Sequence, residues 1–101
     1  MKEKLNKLAG MLNVEVGVIE SKPGFMLPEP IKVEDYFNEG ETTFTKVLFD
    51  ETDEVVWIEN TRGSIINVRQ IEDGYFSFQI SNDKSMKVNV DDGKITHTEI
   101  F

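Results

Sequence analysis

Apolar residues follow two rhythms along this chain. Leu5, Leu8, Ala9 and Leu12 sit at i, i+3, i+4 and i+7 with Lys and Asn between them, which predicts an amphipathic helix over residues 2–12 with one core-facing stripe. From Val14 to Ile19 the period drops to two, Val14, Val16 and Val18 alternating with Glu15 and Gly17, the pattern of a half-buried strand. Pro23 and Gly24 are expected to end regular pairing there and to leave Glu20 and Ser21 on a rim. Pro28 and Pro30 then read as a helix start, with Glu29 near the positive end of the dipole. Val33, Tyr36 and Phe37 would share one face of that second helix, Glu34 and Asp35 would point elsewhere, and Gly40 suits its stop.

The rest of the chain reads as strands. Residues 42–49, 55–60, 64–71, 75–81, 85–90 and 94–100 are rich in β-branched and aromatic side chains. Arg62-Gly63, Asp73-Gly74, Asn82-Asp83 and Asp92-Gly93 separate the later ones, as tight hairpins require. No connection is long enough for a crossover helix, so neighbours should be antiparallel. The expected fold is α+β: a single domain over residues 1–101, with two N-terminal helices packed on one antiparallel meander sheet of five to seven strands.

Charge changes this picture more than composition does. The net charge is −8, and residues 15–59 hold twelve acids against Lys22, Lys32 and Lys46, so that segment carries −9 and the remainder +1. An acidic field confined to one half repels nucleic acid and anionic lipid and steers toward a basic partner. Hydrophobic content of 39% places the charge on a folded object rather than a disordered tail. The chain has no Cys, which removes disulfide and thiolate-metal chemistry and fits a reducing compartment. No apolar run approaches the roughly 20 residues of a membrane span. The expectation is a soluble cytoplasmic protein.

The search for catalytic chemistry comes back nearly empty. His97 is the only histidine and falls on a predicted strand. The acidic run Asp50, Glu51, Thr52, Asp53, Glu54 has the density of a calcium loop but puts Val55 where an EF-hand needs Gly and Thr61 where it needs a bidentate Glu. Gly63, Gly74 and Gly93 are accounted for by turns, and the basic residues are scattered, which disfavours a phosphate loop or a nucleic-acid surface. The chain therefore reads as a non-enzyme without a cofactor or metal.

The order Glu20-Ser21, Met26-Leu27-Pro28-Glu29, Val33-Glu34-Asp35-Tyr36-Phe37 and the acidic run 50–54 followed by Val55-Val56 resembles the phage uracil-DNA glycosylase inhibitor family. The resemblance covers about the first three-fifths of the chain. It implies a small acidic α+β protein that mimics DNA and blocks the enzyme that removes uracil from DNA, acting in the host cell cytoplasm if phage-encoded. It further implies that Glu20 and Ser21 take the places of phosphate oxygens, and that Glu29, Glu34 and Asp35 meet basic or hydrogen-bonding groups on the glycosylase. An apolar pocket for a protruding enzyme side chain would have Met26, Val33, Tyr36 and Phe37 on its helix side and Val47 or Trp57 from the strands. This chain departs from the family in the longer stretch Lys22-Pro23-Gly24-Phe25, in the inserted Pro30-Ile31-Lys32 and in the bulk of Tyr36 and Phe37.

On the residues alone, Met26, Val33, Tyr36 and Phe37 also suit plain core, and the Glu-Ser pair a turn. Two further functions stay open: an acidic DNA mimic aimed at another nucleic-acid-binding protein, and a non-catalytic β-sheet module for oligomerisation or peptide binding through its C-terminal strands.

Overall fold

A computed structural model describes residues 3–33, 42–50 and 55–101. The described residues form one helix, α1 (Glu3–Met11), and eight strands: β1 (Gly17–Ile19), β2 (Lys22–Val33), β3 (Thr42–Asp50), β4 (Val55–Asn60), β5 (Ile65–Glu72), β6 (Tyr75–Ser81), β7 (Lys84–Asp91) and β8 (Lys94–Ile100). The strands pair in sequence order, every neighbour antiparallel, in a curled half-barrel. The helix lays Leu5, Leu8, Ala9 and Leu12 into the hollow, as its stripe predicts. It ends where Asn13 turns left-handed (φ 54°). There the Val14 N–H donates to Ala9 O (3.0 Å) and the Asn13 N–H to Gly10 O (3.2 Å), the bond pair of a Schellman cap. That helix is not long and apolar enough to cross a membrane.

The expected architecture needs correction in two respects: the described residues contain one helix rather than two, and eight strands rather than five to seven. The antiparallel meander itself is present. The error lies between Lys22 and Val33, where Pro28 and Pro30 sit inside β2 instead of starting a helix, so Glu29 and Val33 are strand residues. The reason is steric. A residue before proline is pushed out of the α region, and here Leu27 and Glu29 both precede one. The missing N–H groups are harmless because pairing with β3 is interrupted between Met26 and Ile31 and β1 reaches only to Gly24. Glu34, Asp35, Tyr36, Phe37 and Gly40 lie outside the described residues, as do residues 51–54 of the acidic run.

β5 divides the sheet. Its residues Ile65–Asn67 pair with β4, and from Val68 onward it pairs with β6, with a bulge between Val68 and Gln70. Strands that change partners at a bulge are how a sheet turns a corner. The two halves meet in one core, where the Phe44 ring of β3 lies 5.1 Å from that of Phe78 in β6, tilted by 59°. On the far side a side chain bridges the curl: the Glu29 carboxylate of β2 accepts the Ile95 N–H of β8 at 3.1 Å.

Candidate functional site

Glu20 and Ser21 form the two-residue turn between β1 and β2, since Ile19 pairs with Lys22. Both have positive φ, 51° and 68°, the conformation of a type I′ hairpin that Asn and Gly usually supply. Holding two side-chain-bearing residues there costs of order 1 kcal/mol each. Both side chains are exposed.

The turn curls over the outer face of the sheet. Glu20 Oε1 lies 3.8 Å from Lys46 Nζ, and the same ammonium lies 3.9 Å from Glu59 Oε2. Register places Lys46 between Met26 of β2 and Glu59 of β4, so a cation is held between two carboxylates. The two carboxylates differ in setting. Glu20 stands in solvent, whereas Glu59 Oε2 is buried and accepts no hydrogen bond among the described residues, leaving Lys46 as its compensation.

Beside this triad runs a second row across the sheet: Gly17, Gly24, Leu48, Trp57 and Asn67. Leu48 is buried yet faces away from the core; its Cδ2 comes so close over Gly24 that a Cβ there would stand 3.2 Å from it. The Lys22 ammonium sits 5.4 Å from the centre of the Trp57 ring. A cation over an indole face contributes about 0.5–1 kcal/mol at an exposed site and orients both groups. Met26, 53% exposed, completes the apolar part of the surface.

Four of the sequence-predicted residues thus share one region: Glu20 and Ser21 on the turn, Met26 and Trp57 on the outer face. Val33 and Val47 are fully buried in the core on the opposite face of the strands, and Glu29 serves the β2–β8 seam. Strand alternation explains the split, because Met26 and Trp57 are flanked by the inward-facing Phe25, Leu27, Val56 and Ile58. Lys22 and Lys46 were not anticipated as part of the site. Their signal was the period-two series Lys22, Gly24, Met26, which becomes legible once Pro23 is accepted inside a strand.

The remaining chemistry is sparse. His97 is exposed on β8 with Nε2 at 3.5 Å from Glu99 Oε2. Glu99 also accepts the Asn89 amide at 3.0 Å, and that hydrogen bond leads the causes that hold its carboxyl below the ordinary value, with Lys87 and His97 adding to it. Among the described residues no three of His, Asp and Glu converge as metal ligands. Two surface grooves of about 360 Å³ each lie in the second half, one bordered by Tyr75, Lys87 and Phe101, the other by Ile66, Arg69 and Ile80; neither contains a predicted site residue. Comparison with protein-family models, with curated proteins and with solved structures finds no match.

Proposed function

We propose that this protein is a binding inhibitor that presents the outer face of β1–β4 to a DNA-handling enzyme, with uracil-DNA glycosylase as the partner. The observation that carries the reading is the convergence of an exposed carboxylate and hydroxyl, Glu20 and Ser21, with an exposed thioether and an indole on one face. The carboxylate and hydroxyl offer acceptor oxygens to groups that otherwise hold phosphate. Met26 and Trp57 supply an apolar contact of the kind that carries binding energy at interfaces. The acidic excess of residues 15–59 steers association with a basic groove and speeds it. Inhibition here is occupancy: the DNA-binding surface is filled, and no bond is made or broken.

The test is uracil excision from DNA with the protein added in steps. Activity should fall to zero at one equivalent, Trp57→Ala should weaken inhibition at least tenfold, and Glu20→Ala should slow its onset. Full excision with the protein in excess rejects the glycosylase as partner. A mimic of DNA aimed at another nucleic-acid-binding protein is the second reading, favoured by the burial of Val33 and Val47, which removes them from a receptor pocket. Its sign would be inhibition of another DNA-binding enzyme, abolished by the same Trp57→Ala change.

A further inference from the structure

We propose that β8 is a self-complementary edge through which two copies of this chain pair, in antiparallel fashion, about a two-fold axis at Thr98.

The geometry begins with the hydrogen bonds of β7. Ser85 and Phe101 exchange both backbone bonds, at 2.8 and 2.9 Å. Antiparallel alternation then makes Glu99 with Lys87 and His97 with Asn89 the next bonded pairs, in the observed register. Thr98 and Ile100 consequently turn their N–H and C=O groups away from β7. Among the described residues no strand pairs with that side, and the Glu29 carboxylate closes only the Ile95 end. An open edge without proline or a bulge past His97 is a template for another strand.

Three observations make that strand a second copy. First, outward-facing residues must meet outward-facing residues, and a pair centred on Thr98 satisfies this with Thr opposite Thr. Second, the same register sets His97 of each copy opposite Glu99 of the other. An imidazole is a donor in either protonation state; His97 exchanges its long contacts within the strand, Nε2 to Glu99 Oε2 at 3.5 Å and Nδ1 to Thr96 Oγ1 at 3.4 Å, for the Glu99 Oε1 across the edge, which the Asn89 hydrogen bond to Oε2 leaves open. Centring the axis one residue later puts Glu99 against Glu99, a like-charge pair at close range. Third, the edge lies in the half of the chain that does not repel: residues 60–101 hold five basic against six acidic side chains, while residues 15–59 carry −9. Pairing also covers Ile100, which is 49% exposed in the single chain.

The chain contains no cysteine, so Thr98→Cys introduces a lone thiol on the axis. Bonded antiparallel partners stand about 5.5 Å apart at Cα, within the span of a disulfide of about 4.4–6.8 Å. Mild oxidation should convert this variant to a covalent dimer at least ten times faster than Thr61→Cys, an exposed position on the β4–β5 loop. Sedimentation of the unaltered protein should show a concentration-dependent dimer. His97→Glu should weaken it at least tenfold, and the double variant His97→Glu with Glu99→Lys should restore it. Equal oxidation rates for the two cysteine variants, or a protein that stays monomeric at millimolar concentration, overturn the proposal. A dimer that ignores the charge exchanges overturns the register and with it the assignment.

Discussion

Strands β1–β4 and β5–β8 close on one core by different means. In the second half, β5 to β8 are joined by the two-residue turns 73–74, 82–83 and 92–93, and β6 and β7 bury Phe76, Phe78, Met86 and Val88 by alternation. Their order is local: each two-residue turn sets the register of its hairpin as far as a bulge, between Val68 and Gln70, Gln79 and Ser81, and Asn89 and Val90. In the first half β2 carries three prolines, loses register with β3 between Met26 and Ile31, and is set against β3 by the absence of a side chain at Gly24. Its order is tertiary. The half whose second strand carries three prolines is also the half that gathers exposed Met26, the Glu20–Ser21 turn and most of the acid. Departures from local rules tend to collect where a surface has a task besides folding.

The comparison can be broken most forcefully at the contact the halves share. Phe44→Ala removes a ring packed on Phe78 and should cost about 3–5 kcal/mol, a large share of the roughly 5–15 kcal/mol that holds a domain together. Urea unfolding followed by Trp57 fluorescence, which reports the first half, and by amide exchange in β6 and β7 should shift together. Separate midpoints would mean that the halves are independent folding units.

Next in size is Gly24→Ala. Its Cβ would collide with the backbone carbonyl of Val47, which points toward β2 and cannot move without disturbing the β2–β3 pairing, so a loss of about 2–3 kcal/mol is expected. Gly17→Ala, one strand away in the same row and with open space around it, should change the midpoint little. Equal effects at the two positions would show that β2 is not pressed on β3 in this register.

The cation between two carboxylates gives a smaller test. Lys46→Met strands the buried Glu59 oxygen and should destabilise by about 1–3 kcal/mol, while Glu20→Ala, removing the solvent-exposed partner, should cost under about 1 kcal/mol. Thermal melts of the two variants would reveal whether the triad is asymmetric in this way. In the second half, NMR titration should place the Glu99 carboxyl below the ordinary value of 4.5, and Asn89→Ala should raise it. Because the folded value is depressed, the contribution to stability is present above the unfolded value and is lost as pH falls through the folded one. Loosening of the β7–β8 hairpin should therefore begin only below pH 4.5.

Legibility cut across this division. Helix α1 and β3 to β8 stand within one or two residues of their predicted bounds, because their periodicity and turns are read from near neighbours, and the miss is β2. At β2 the proline pair carried two meanings, a helix start or an extended edge. The restriction on Leu27 and Glu29 was the cue that favoured the second. Of the predicted surface, Glu20, Ser21, Met26 and Trp57 are gathered in one region and Val33 and Val47 are not: placing Val33 on a helix concealed which face of a strand it occupies, and Val47 lies on the opposite face of its strand from Lys46 and Leu48.

Sequence by itself determined the period-two runs, the antiparallel order, the first helix with its core-facing stripe and the segregation of charge, all of which depend on chemistry within a few residues or on simple counts. Only the tertiary structure decided that β2 is extended, that Lys46 stands between Glu20 and Glu59, that Glu29 reaches β8, and that the edge of β8 is open past His97 among the described residues. Those features join residues as many as 66 positions apart. Their energy comes from packing and pairing that do not exist until the sheet has curled.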